Sequence, residues 1–145
     1  MTATSKPTVL VILRPSLYEI LFTPESNEKL GQIAEVTFRG KEDPLSSAEL
    51  ATLIPGYDAL LGGWGTPRLT DEVLDAADKL KLYMHSAGSI KSIVPPAVFD
   101  RSITVTHGAG AIATGVADLS VCLIWMMLRL PHKMDAALKA GAEWN

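Results

Sequence analysis

Hydrophobic positions along this 145-residue chain fall into short runs separated by amphipathic or polar stretches. Thr8 to Leu13 (TVLVIL) is unbroken, apolar and rich in β-branched residues, the pattern of a strand covered on both faces. Glu35–Phe38, Asp58–Leu61, Lys81–His85 and Ile103–Thr106 read as four further strands. Between them the spacing predicts helices over Pro24–Ile33, Ser46–Ile54, Asp71–Ala77 and around Pro96–Asp100. Ser46 with Glu49 three residues later is a capping signature, and Thr70 stands where it can cap the next helix, whose Val73, Leu74 and Ala77 form an apolar face. A long, almost uncharged helix follows the last strand. Pro131 interrupts it, and a second helical piece, His132 to Ala140, ends at Gly141.

Strands alternating with helices predict an α/β fold with a five-stranded, doubly wound parallel sheet, because parallel neighbours need crossovers of one hand. Such sheets bind ligands at the carboxyl ends of their strands. Those ends are Arg14-Pro15-Ser16, Gly62 to Thr66, Ser86 to Ser89 and His107 to Gly110.

Composition narrows the classes. With 48% hydrophobic and 20% charged residues, the chain has enough apolar material for one core that buries roughly two thirds of the unfolded surface. A net charge of −3, with basic residues scattered singly, excludes a nucleic-acid partner. The lone Cys122 lies in an apolar helix and reads as a core side chain, and no residues stand at metal-ligand spacing. Met1 to Pro7 lacks an apolar signal core, so the expected compartment is the cytoplasm. Gly108 to Leu128 carries one charge, Asp118. Its dense part, Val116 to Leu128, is shorter than the ~20 residues a bilayer needs and has no flanking aromatic or basic anchors, so no membrane partner is expected and the helix reads as buried in protein.

Ser86-Ala87-Gly88-Ser89 has small side chains that leave consecutive backbone N–H groups open, either as a nest for a carboxylate or as a plain tight turn. Trp64, at the adjacent strand end, either walls the same cleft or caps the edge of the core. Gly108-x-Gly110-x-x-Ala113 fits a dinucleotide fingerprint, but no strand with an acidic residue follows about 20 positions later, so these glycines read as a sharp turn and a close helix contact. His85, His107 and His132 have no carboxylate or cysteine at triad or metal spacing and read as structural or solvated, His107 lying closest to the cleft. No acidic cluster ends the first or third strand, which excludes a phosphorelay receiver. Arg14-Pro15-Ser16-Leu17 lacks the Gly/Thr content of a flavin-phosphate loop.

Leu69-Thr70-Asp71-Glu72-Val73-Leu74, Leu80 to Ser89, Ile103 to His107, Gly110 to Asp118, the helix end Leu128-Arg129 and the closing Gly141-Ala142-Glu143-Trp144 form a series. In order and spacing that series resembles the N-terminal part of the D-isomer-specific 2-hydroxyacid dehydrogenases, from about Asp58 onward. The resemblance implies a flavodoxin-like substrate-binding domain over residues 1–115. Residues 116–145 would then be interdomain and dimerisation helices leading toward a Rossmann domain beyond Asn145, with Trp144 at the crossover. It implies a small 2-hydroxy or 2-keto acid as substrate, NAD or NADP as cofactor of the intact enzyme, and a homodimer through the 116–130 helix. The family's Arg-x-Gly-x-Gly loop maps onto His85-x-Ala87-Gly88-Ser89, which implies substrate binding by Ala87, Gly88, Ser89 and Trp64, with Gly88 also touching the cofactor. Neither flanking glycine of that motif is kept. His107 and Ile112 stand where the family has Asn, and Asp118 where it has Glu. The implied catalytic Arg, Glu and His would all lie outside this chain, so no catalytic residue is assigned, the chain is expected to bind no cofactor strongly, and it is expected to be inactive alone. The other expectation is a stand-alone flavodoxin-like module that binds a small carboxylate or a partner protein without catalysis.

Overall fold

The structure, a computed structural model, describes residues 5–143; Trp144 lies outside them. The chain divides into two compact units, Met1–Ala109 and Gly110–Asn145.

The first unit is built on β1 (Thr8–Val11), β2 (Glu35–Phe38), β3 (Ala59–Gly62), β4 (Leu82–His85) and β5 (Thr104–His107), all parallel, in the order β2-β1-β3-β4-β5. This is the doubly wound, flavodoxin-like order, whose direction of winding reverses between β1 and β3. Side chains alternate along β1. Leu10 and Ile12 enter one apolar cluster with Leu50, Ile54, Leu60, Val73, Leu74, Tyr83 and Val98, while Val9, Val11 and Leu13 enter another with Ala34, Ala59 and Leu61. The unbroken apolar run is thus explained by burial on both faces.

The connecting helices are α1 (Pro15–Leu21), α2 (Pro24–Ile33), α3 (Ser47–Leu53), α4 (Asp71–Ala76) and α5 (Ala97–Asp100). Side-chain caps define three of their starts. Thr23 accepts from the Ser26 N–H and Thr70 from the Val73 N–H, and Ser46 with Glu49 completes the reciprocal capping box. The sequence reading missed α1. Its N-cap, Arg14, makes no side-chain cap bond, and the only local signal is Pro15 in the first turn.

Two glycines at the end of β3 are dictated by close approach. A Cβ on Gly63 would stand 2.6 Å from Leu13 Cδ2 and 2.7 Å from Ser86 Oγ, and one on Gly62 would collide with Thr66 Oγ1 and crowd the Tyr83 ring at 3.2 Å. The ends of β1, β3 and β4 are therefore packed together across these glycines.

The second unit holds most of α6 (Ala109–Arg129) and all of α7 (Pro131–Lys139). Between these helices Leu130 adopts a left-handed conformation, φ 50°, which ends α6 before Pro131 starts α7. Neither helix contains a buried residue. Cys122 is exposed, not a core side chain as expected, and Val116, Leu119, Leu123, Met126 and Met127 are exposed with it. Two consecutive helices have too few faces to cover a stripe that is apolar nearly all round. By length and composition α6 is also able to cross a membrane.

Replacing Gly63 with Ala forces Leu13 or Ser86 to move. We expect a loss of about 1–3 kcal/mol in unfolding free energy by chemical denaturation. An unchanged midpoint would mean that the edge of the sheet is looser than described.

Candidate functional site

The carboxyl edge of the sheet gathers the loops that follow β3, β4 and β5. After β4 the chain is tied down once and then released. The Ser86 N–H and Oγ both donate to the Gly62 carbonyl, at 2.8 and 2.9 Å. The Gly108 N–H donates to the carbonyls of His85 and Ala87, at 3.0 and 2.8 Å. Among the described residues, no acceptor is paired with the N–H groups of Ala87, Gly88 and Ser89. Ala87 is fully buried, Gly88 half-buried and Ser89 exposed, so the open donors near the surface belong to Gly88 and Ser89. No residue from Ser86 to Ser89 has a positive φ, and a Cβ on Gly88 would meet nothing within 4 Å. The fold therefore makes no packing or conformational demand for glycine at 88; its effect is to keep the face of the loop clear.

Behind this loop lies a polar pair on the buried side of β4. The Tyr83 hydroxyl and His85 Nδ1 are 2.8 Å apart, and both residues are buried. Burial pushes the Tyr83 hydroxyl up to about 12, with a hydrogen bond to Thr66 pulling the other way. Burial lowers the His85 imidazole below its ordinary value, and the neighbouring His107 adds to the effect. His85 and His107 are register partners across β4 and β5. Both groups are neutral at physiological pH, so the pair supports the loop without bringing charge to it. The sequence pointed to no such partnership, although Tyr83 and His85 stand two apart on one strand and so share a face.

His107 has a definite task. Its Nδ1 accepts the Ala109 N–H at 3.2 Å. With the Gly108 N–H spent on two carbonyls and the Ala109 N–H on this imidazole, two donors that a pyrophosphate would need are occupied. A Cβ on Gly108 would stand 3.4 Å from the Ala87 carbonyl oxygen, an ordinary van der Waals contact.

Trp64 is more than half exposed, 56%, and does not cap the core. It lines a hollow at the ends of β1, β2 and β3, together with Arg14, Arg39 and Asp43. No residue of the 86–89 loop lines that hollow. Trp64 and the loop share the edge of the sheet, with Gly63 and Ser86 in contact between them. Among the described residues, no group of three or more His, Cys, Asp or Glu could hold a metal ion.

The family model for the D-isomer specific 2-hydroxyacid dehydrogenase catalytic domain matches residues 15–139. The chain belongs to this family. It is 31% identical over 134 residues to a glyoxylate reductase of Thermofilum pendens, covering 91% of this chain and 39% of that protein. It is 29% identical over 118 residues to a D-3-phosphoglycerate dehydrogenase of Methanocaldococcus jannaschii, covering 81% of this chain and 21% of that one. A solved structure from Pyrococcus horikoshii OT3, the PH0520 protein, superposes with a TM-score of 0.73 at 28% identity, covering 94% of this chain and 38% of that one. The chain thus spans about two fifths or less of the curated relatives it matches. The match to the family's catalytic domain includes α6.

The polar pair makes stability depend on pH. In the unfolded chain an imidazole takes up its proton near pH 6.5, whereas burial keeps His85 neutral to lower pH. Below about pH 6.5 the unfolded state binds more protons, so this contribution is complete at higher pH and is lost as the pH falls through the folded pKa. Denaturation free energies measured from pH 8 to 5 should fall toward the acid end, and His85→Asn, which keeps an acceptor near the Tyr83 hydroxyl, should flatten the slope. Equal slopes in the two proteins would refute the assignment.

Proposed function

We propose that this chain supplies the substrate-binding side of an NAD(P)-dependent D-2-hydroxyacid dehydrogenase, which interconverts a 2-hydroxy acid and its 2-keto acid. One observation carries the reading: successive unpaired N–H groups on the small-residue loop after β4, at the carboxyl edge of a doubly wound sheet. Backbone donors held in place on a clear loop face suit a carboxylate, which accepts several hydrogen bonds at once. Gly88 and Ser89 would bind the substrate carboxylate, with Ala87 packed beneath them, and Trp64 would bound the cleft toward β3.

The nicotinamide, when bound, supplies the hydride acceptor or donor. The cofactor would lie against Gly88, where the backbone face is clear. The Gly108 and Ala109 N–H groups are already paired, so residues 1–145 are proposed to bind the acid without turning it over, in the cytoplasm. The exposed apolar face of residues 116–130 suits a second copy of the chain, because a stripe this large is rarely left in water.

Three measurements bear on this. Ser89→Pro, which deletes one N–H, should weaken pyruvate binding by about tenfold, while Ser89→Ala, which keeps it, should not. Identical affinities in the two variants would remove the backbone from recognition. Purified residues 1–145 should give no NAD(P)-linked oxidation of lactate or glycerate above background, and measurable turnover would contradict the division of labour. In sedimentation the chain should run as a dimer, and a monomer at micromolar concentration would count against the role of the 116–130 face.

A further inference from the structure

The peptide that joins Gly62 to Gly63, at the end of β3, is held at both of its polar ends. Its carbonyl, from Gly62, accepts the Ser86 N–H and the Ser86 hydroxyl at 2.8 and 2.9 Å. Its N–H, from Gly63, donates to Thr66 Oγ1 at 2.9 Å. A peptide between two glycines has no side chain on either flank to resist rotation, so hydrogen bonds must set its orientation. Turned over, it would present its N–H to the Ser86 N–H, and the anchor of the loop after β4 would be lost.

The bond on the N–H side does not end at Thr66. The Thr66 hydroxyl hydrogen-bonds the Tyr83 phenol, and Tyr83 Oη stands 2.8 Å from His85 Nδ1. Thr66 Oγ1 already accepts the Gly63 N–H, so its own proton goes to Tyr83 and the Tyr83 proton goes to Nδ1. In that direction every hydrogen of the series has an acceptor, and the imidazole keeps its proton on Nε2. In the opposite direction the Thr66 proton has no acceptor among the described residues. His85 Nε2 has no protein partner among them, yet no buried side-chain nitrogen lacks one there, so Nε2 reaches solvent and its proton is satisfied by water.

His85 precedes Ser86 in the chain, so the two arms meet. The series runs from the Ser86 N–H to the Gly62 carbonyl, then from the Gly63 N–H through Thr66 and Tyr83 to His85. It closes a ring through one peptide plane, with all its bonds pointing the same way around. Bonds aligned head to tail polarise and strengthen one another. The Thr66 N–H also closes the turn that carries Trp64, donating to the Gly63 carbonyl at 3.1 Å.

We propose that Thr66 and Tyr83 are positioning residues for the carboxylate loop: they lock the Gly62–Gly63 peptide, and the locked peptide sets Ser86 and the open N–H groups of Gly88 and Ser89. Their effect passes through the peptide and not through contact with the acid. The effect on binding rests on the reading of Gly88 and Ser89 as the carboxylate site, while the lock itself is measurable without a ligand.

The test compares the parent chain with Tyr83→Phe, Thr66→Val and Thr66→Ser. Imidazole 15N spectra should show His85 as a single Nε2–H tautomer in the parent and as a mixture in Tyr83→Phe. Tyr83 is fully buried, so if its variant fails to fold, the two Thr66 variants decide. Pyruvate, titrated while the Gly88 and Ser89 amides are followed, should bind about five- to tenfold more weakly to Thr66→Val. Thr66→Ser, which keeps the hydroxyl, should bind it as the parent does. An Nδ1–H tautomer in the parent, or an unchanged pyruvate affinity in Thr66→Val, would overturn the proposal. If the parent binds no pyruvate, the carboxylate reading fails on its own. The lock is then judged by hydrogen exchange of the Ser86 amide, which should be about tenfold faster in Thr66→Val than in Thr66→Ser. Equal exchange rates sink it.

Discussion

Gly63 stands where one methyl group would reach both Leu13 on the β1 side and Ser86 on the β4 side, and Gly62 stands where one would strike Thr66 and the Tyr83 ring. The absence of those two side chains lets three parallel strands end within contact of one another. Because the strands close up here, Ser86 can place both its N–H and its hydroxyl on the Gly62 carbonyl. That double bond to one acceptor fixes where the loop leaves the sheet. The open N–H groups that follow are presented by this anchoring and not by any left-handed residue in the loop.

The same packing explains the electrostatic character of the edge. Burial beneath the loop keeps Tyr83 and His85 neutral, so their hydrogen bond supports the strand end without a competing charge. Arg14, with no carboxylate within ion-pair distance among the described residues, sits two strands away at the end of β1.

Much of the fold was legible because its signals are local. The β2 run Glu35–Phe38 and the helix Pro24–Ile33 were read to the residue, and the Ser46–Glu49 box and the Thr70 cap form as their side chains require. The helix α1 was not legible, because a proline after an uncapped arginine looks the same in a loop. Cys122 was misread for a related reason: an apolar helix implies burial only where something covers it, and the two-helix unit by itself has no such layer. Gly108 and Gly110 read as a sharp turn and a close helix contact; the Gly108 N–H is spent on two carbonyls, whereas a Cβ on Gly110 would meet nothing within 4 Å.

What the sequence determined by itself was the order of elements, their caps and the parallel class of the sheet, because period, capping chemistry and crossover handedness act over a few residues. It also carried the family likeness. The tertiary structure decided which groups meet at the edge: Tyr83 with His85, His107 with the Ala109 N–H, Gly63 with Leu13 and Ser86, and Trp64 with Arg14. Several of these partners come from different strands, far apart in the chain, and what each does follows from which acceptors its neighbours have already taken. A hydrogen-bond donor becomes a binding group only when folding leaves it without a partner, and no stretch of sequence carries that information alone.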